Sequence, residues 1–162
     1  MQRRNFNVVS LGLAAAIALA CSAPMVSAHE TGVVTARSDY AMEDTVNRIV
    51  RDIAAKKIKL FNVIDQSGLA KEAGVELNPS TLIVFGNPPL GTQFLTANPQ
   101  SGLDWPVRLL VYQDSNGQVW TAYTDFQWIA RRHSIKSRKA QFKMASEVIA
   151  SIVSSTHNSG SQ

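Results

Sequence analysis

Hydrophobic and polar positions change period along this chain, and the changes mark its elements. Val33–Arg37 reads as a short strand. From there Met42, Val46, Ile49, Val50 and Ile53 recur at helical spacing, with Arg48, Arg51, Asp52 and Lys56 mostly opposite. A helix is therefore expected to about Lys57, capped by Ser38 or Asp39, with Lys56 and Lys57 at the negative end of its dipole. Lys59–Asp65 is a second strand, and a short helix over Ser67–Ala73 ends at Gly74. Thr81–Phe85 is apolar or β-branched throughout, which suits a strand central in its sheet.

The second half is punctuated by asparagine and proline. Asn87-Pro88 pairs a favoured N-cap with a first helical residue that loses no hydrogen bond, and Asn98-Pro99 stops that helix. Val107–Tyr112 and Val119–Tyr123 are strands joined across Asp114-Ser115-Asn116-Gly117, a strong hairpin signal. Asp125 caps a short helix to Arg131, and a last helix runs from about Ser137 to Ser155 with Phe142, Ala145, Val148, Ile149, Ile152 and Val153 as its stripe. The pattern is α+β: one small domain, an antiparallel sheet of about five strands with helices packed on it.

Residues 1–28 read as an export signal. Arg3 and Arg4 precede an apolar Val8–Ala20 stretch, and Val26-Ser27-Ala28 has small residues at a cleavage position. Residues 29–155 then form the domain and 156–162 a flexible tail. The apolar stretch falls short of the roughly 20 residues of a membrane span, and no later stretch approaches that length. A periplasmic or secreted protein is expected. Arg3-Arg4-Asn5-Phe6 partly matches a twin-arginine signal, which leaves secretory and twin-arginine routes both open. Ala18 stands where a lipoprotein signal wants leucine before Cys21. Cys21 is the sole cysteine, so cleavage leaves no disulfide and no thiol chemistry. It also lowers the net charge from +4 to about +2. Export places the chain away from nucleic acid, which is not an expected partner.

The blocks Val63-Ile64-Asp65, Phe85-Gly86-Asn87-Pro88, Gly91-Thr92, Asn98-Pro99, Gly102-Leu103-Asp104, Leu110-Val111-Tyr112 and Gly117 through Val119-Trp120 to Tyr123 together resemble the domain of unknown function family 302, over about Val33 to Ile135. The resemblance implies a small α+β domain with an antiparallel sheet. It carries no established activity, so no catalytic residue is transferred by it. The chain departs from the family pattern at Gln66, where histidine is common, and at Trp105, where an aliphatic residue is common.

Four groups of residues could carry chemistry. The helix start at Asn87, with Gly91 and Thr92, could hold an anion on backbone N–H groups, with Asp104 and Trp105 closing over it; equally, Asn87 caps and Gly91 permits close packing. Asp65, Asp104 and Asp125 could do acid–base work, or serve as caps. Arg131, Arg132, Lys136, Arg138, Lys139 and Lys143 could meet an anionic surface, or form a solvated helix start. His29, if cleavage makes it the first residue, could bind copper with His133 or His157. No nucleophile triad, phosphate loop, dinucleotide fingerprint or zinc spacing occurs, and no cofactor is indicated. The leading expectation is an exported binding or accessory domain with an apolar pocket lined by Tyr112, Trp105 and Trp128, its ligand unknown. The alternatives are a small enzyme using aspartates, the copper protein, and a homodimer joined through a sheet edge or apolar face.

Overall fold

A computed structural model describes residues 31–158. Five strands form one antiparallel sheet: β1 (Val33–Arg37), β2 (Lys59–Asp65), β3 (Ser80–Gly86), β4 (Val107–Gln113) and β5 (Val119–Thr124), in the order β1-β5-β4-β3-β2. The helices are α1 (Met42–Ala55), α2 (Gln66–Glu72), α3 (Pro88–Ala97), α4 (Phe126–Arg132) and α5 (Lys139–Ser154), with a 3-10 turn at Pro99–Leu103. β3 is interior, as its apolar run predicts, but β4 holds the middle place.

Alternation along the strands sorts the two faces. Ile83, Phe85, Leu109, Val111, Val119 and Thr121 are buried. The other face carries the rows Leu82–Leu110–Ala122 and Ser80–Tyr112–Trp120. α1 packs against β2, β3 and β4, and α5 packs against α1, α3 and α4. Ile49 and Ile53 of α1 and Phe142, Ile149 and Ile152 of α5 complete the core. Phe94 of α3 stacks on Phe142 at 4.3 Å and tilts against Phe126 at 6.4 Å. This aromatic contact joins three helices at one point.

Two sequence expectations are corrected. Neither Ser38 nor Asp39 caps α1; Ala41 occupies the cap position without a side-chain bond. Ser38 is instead buried, because its N–H donates to Val119 O and extends the sheet edge. Its hydroxyl meets Thr45 Oγ1 at 2.7 Å, satisfying a polar pair inside the core. The tail is also not free from residue 156. Thr156 is fully buried, its carbonyl accepts from Asp39 N at 3.0 Å, and Asn158 N donates to Asp39 Oδ2 at 2.9 Å. The segment after β1 is thus tied to the segment after α5. No helix among the described residues is long and apolar enough to cross a membrane.

Candidate functional site

A groove of about 380 Å³ opens between the start of α3, the Trp105 loop and α5. Its placement follows from local sequence. Asn87 caps α3 through Oδ1, which accepts from Leu90 N at 3.3 Å. That fixes where Leu90 and Gly91 face the strand end at Gly86. The 3-10 turn then returns the chain, so Trp105 lies across both glycines. A Cβ added at Gly91 would overlap the Trp105 indole, and one at Gly86 would come within 3.2 Å of Nε1. Absence of side chains at these two positions is what lets the indole form a wall. Phe61 meets the ring edge-on at 5.9 Å. The β2 register shifts between Leu60 and Asn62, so Phe61 is the extra residue of a bulge, which re-aims it. From α5, Met144, Ala145 and Val148 supply the facing side; Lys56 and Glu147 also line the groove.

Behind Trp105 sits a charged cluster built on Asp104. The side chains of Asp104 and His133 are 3% and 5% exposed. His133 Nε2–H donates to Asp104 Oδ2 at 2.6 Å; a carboxylate can only accept, which fixes the direction. Arg132 Nη1 donates to both oxygens at 3.1 and 3.2 Å, and Arg108 Nη2 reaches Oδ1 at 3.4 Å. Arg132 in turn covers Trp128, with its guanidinium 5.4 Å from the ring centre. Asn98 Nδ2 donates to His133 O at 2.9 Å. The cluster therefore pins the residue before Trp105 to α4 and β4. Its carboxylate is saturated by protein donors, which hold it in place.

The other expected sites sort clearly. The α3 start brings Asn87, Gly91 and Trp105 together, with few free backbone donors for an anion. Pro88 and Pro89 have no N–H, and the Leu90 and Gly91 N–H groups are taken by Asn87. Thr92 lies outside the groove lining, and its hydroxyl donates to Pro88 O at 2.8 Å. Asp104 lies behind the wall, not in the groove. Tyr112 lies on the opposite face of the sheet beside Trp120, and Trp128 abuts Gly32, so neither lines the groove.

The remaining carboxylates are caps. Asp65 accepts from Ser67 Oγ at 2.6 Å and Gly68 N at 2.9 Å, and the Ser67 hydroxyl foremost holds its carboxyl below the usual range. Asp125 accepts from Gln127 N and Trp128 N. Half of the basic run is internally paired: Arg131 with Asp125, Arg132 with Asp104, Lys143 with Glu147. Lys136, Arg138 and Lys139 have no acidic partner among the described residues. His29 lies outside the described residues. His133 is committed to Asp104, and His157 Nδ1 stands 3.8 Å from Asp39. No group of three metal-ligating side chains occurs among the described residues.

Sequence reasoning missed the helix side of the groove. Met144 and Ala145 read only as part of an amphipathic helix, and Lys56 as a helix end; nothing local says that they meet Trp105. His133 carried a signal, a histidine among basic residues, but its partner is 29 residues away.

Comparison with known proteins agrees with this architecture. The crystal structure of an uncharacterized conserved protein DUF302 from Bacillus stearothermophilus superposes with a TM-score of 0.70, covering 77% of this chain and 98% of that one, at 17% identity; this likeness concerns the fold alone. Two longer proteins share sequence with it: fluoride-specific ion channel FluC 1 of Brucella suis biovar 1 (strain 1330) and fluoride-specific ion channel FluC 2 of Brucella melitensis biotype 1 (strain ATCC 23456 / CCUG 17765 / NCTC 10094 / 16M). Each is 38% identical over 112 residues, which is 69% of this chain but only 44% and 42% of theirs. The chain thus spans less than half the length of these curated relatives. A family model, the domain of unknown function DUF302, matches residues 34–153, and the chain belongs to that family.

Proposed function

We propose that this is a binding or accessory domain whose site is the groove under Trp105. The observation that carries the reading is the wall itself. A large amphipathic ring is laid over two side-chain-free positions, braced by Phe61 on one side and by the Asp104 cluster behind. The result is a concave, mostly apolar recess of the size that takes small molecules. The aspartate-enzyme reading loses support, since each candidate carboxylate is already engaged in capping or in the cluster.

The accessory part of the proposal draws on the relatives. A similar segment stands within longer proteins that are called fluoride channels, so a domain of this kind can serve beside a larger partner. Export through residues 1–28, with cleavage after Ala28, would place it in the periplasm or outside the cell.

Native mass spectrometry of the protein expressed with its own leader tests the reading. A retained small-molecule mass is expected, and Ala145→Phe, which fills the groove, should release it. A clean mass that persists after incubation with a panel of apolar fragments would defeat the proposal. The same spectrum shows whether His29 begins the exported chain.

A further inference from the structure

The groove is apolar within and charged at one end, and that charge does not cancel. Phe85, Leu90, Phe94, Phe126 and Ala145 give the recess a hydrocarbon surface. The connection from α1 to β2, Lys56-Lys57-Ile58-Lys59, runs along one end of it, with Lys56 and Ile58 in the lining. Lys59 follows. Across the β2–β3 ladder it stands opposite Gly86, which also lines the groove. Groove residues thus flank Lys59 along the chain and across the sheet, which puts it at the mouth.

The Lys59 ammonium is uncommitted. Its Nζ stands 5.2 Å from the centre of the Phe61 ring, and Phe61 meets Trp105 edge-on at 5.9 Å. A ring face attracts an ammonium without using up its three N–H donors. Lys59 has no acidic partner among the described residues. The other rim charges cancel in pairs: Lys56 Nζ donates to Asp52 Oδ1 at 2.6 Å, and Glu147 lies 3.7 Å from Lys143. Lys57, also without an acidic partner among the described residues, adds a second positive charge on the same connection. An anion at this end is therefore attracted and a cation repelled. Lys59 is exposed, so a head group paired with it stays partly in water and escapes the cost of burying a charge.

We infer that the groove takes an amphiphile with an apolar chain and a carboxylate head, the chain under Trp105 and the head at Lys59; this rests on the groove being the binding site proposed above. Lys59 is then the residue that selects the sign of the head. A neutral apolar molecule fills the recess but leaves that ammonium without a counter-ion.

A matched pair of probes separates the two claims: octanoate and octylammonium, with chains of similar length and heads of opposite sign, titrated into the isotope-labelled protein. The Met144 methyl signal reports occupancy, since Met144 lines the groove. Octanoate should bind roughly fivefold tighter, the scale of one exposed ion pair, and added salt should narrow the gap. Lys59→Gln, on an exposed strand that leaves the core untouched, should cut the gap to roughly twofold or less. Lys71→Gln removes the same charge from α2, away from the groove lining, and should leave the gap intact. If octylammonium binds as tightly as octanoate while Met144 moves, the carboxylate assignment is overturned and the groove reading stands. The same holds if Lys59→Gln keeps the full gap, or if Lys71→Gln closes it as far. If neither probe moves Met144, the groove reading fails and takes the inference with it.

Discussion

Single residues set the groove's shape. Gly91 is the sharpest case, because any side chain there collides with the Trp105 ring rather than with a flexible chain end. Gly91→Ala should lower stability by about 1–3 kcal/mol, as overpacking does, and shift the Trp105 environment. Urea denaturation followed by tryptophan fluorescence reads both effects. Asp104 is the second case. Asp104→Ala leaves a buried His133 and two arginines without their shared acceptor, which should cost about 3 kcal/mol. Arg108→Ala, on a half-exposed arm of the same cluster, should cost roughly 1 kcal/mol or less. A loss as large at Arg108 as at Asp104 would contradict the view that the carboxylate is the hub.

Acid sensitivity also belongs to residues. Hydrogen bonds from Trp120 Nε1 and the Gln118 and Asn116 N–H groups hold the Asp114 carboxyl below its ordinary value of 3.8, and Asp65 is lowered by its own cap bonds. Both groups bind protons less readily folded than unfolded, so falling pH favours the unfolded chain. Their stabilisation is complete above the ordinary value and is lost as pH falls through the lowered folded ones. Asp114→Asn should therefore flatten the acid limb of the stability curve below about pH 4, measured by urea midpoints across pH. An unchanged limb would remove Asp114 from the account.

At the scale of elements, the hairpin, the caps and the bulge place everything the groove needs. The β4–β5 turn closes on Gly117 at φ 80°, a left-handed value that favours glycine. α3, α4 and α5 meet at the Phe94, Phe126 and Phe142 rings, so Phe142→Ala should destabilise by about 3–5 kcal/mol and loosen the groove's helix side. The sheet is unequal across its width. β2 pairs only with β3, and Leu60, Phe61 and Val63 are 38–40% exposed, whereas β3 and β4 are paired on both edges. Amide exchange should accordingly be fastest in β2 and α2 and slowest in β3 and β4. Uniform protection across the sheet would show that β2 is covered in solution.

For the whole molecule, stability and ligand are linked. A compound that binds only the folded groove should raise folding stability by about 2.7 kcal/mol at a hundredfold excess over its Kd. A rise in melting temperature with an apolar fragment that binds the groove, absent in Ala145→Phe, would register that linkage. Thr156 and Asn158 are fastened beside Ser38 and Asp39, so the end of α5 is tied to the segment that follows β1.

Local chemistry alone settled which segments became strands and helices. The caps at Asn87 and Asp125, the stop at Asn98 and the turn at Gly117 act within four residues of themselves, and each reads directly from the chain. β2 likewise has the bounds that its sequence implies, and β3 extends one residue beyond its apolar run at each end. What sequence could not decide is which surfaces meet. Trp105 reads in sequence as a candidate for the site, but only the 3-10 turn sets it on Gly86 and Gly91. Asp104 reads as a free carboxylate until α4 delivers Arg132 and His133 from 28 and 29 residues away. The helix start at Asn87 reads in sequence as either an anion site or a plain cap, and only the folded backbone shows the Leu90 and Gly91 N–H groups bonded to Asn87. Periodicity is a one-dimensional property and survives without neighbours. A groove and a saturated carboxylate are relations between distant segments, and burial and hydrogen bonding fix them only once the sheet and helices have closed.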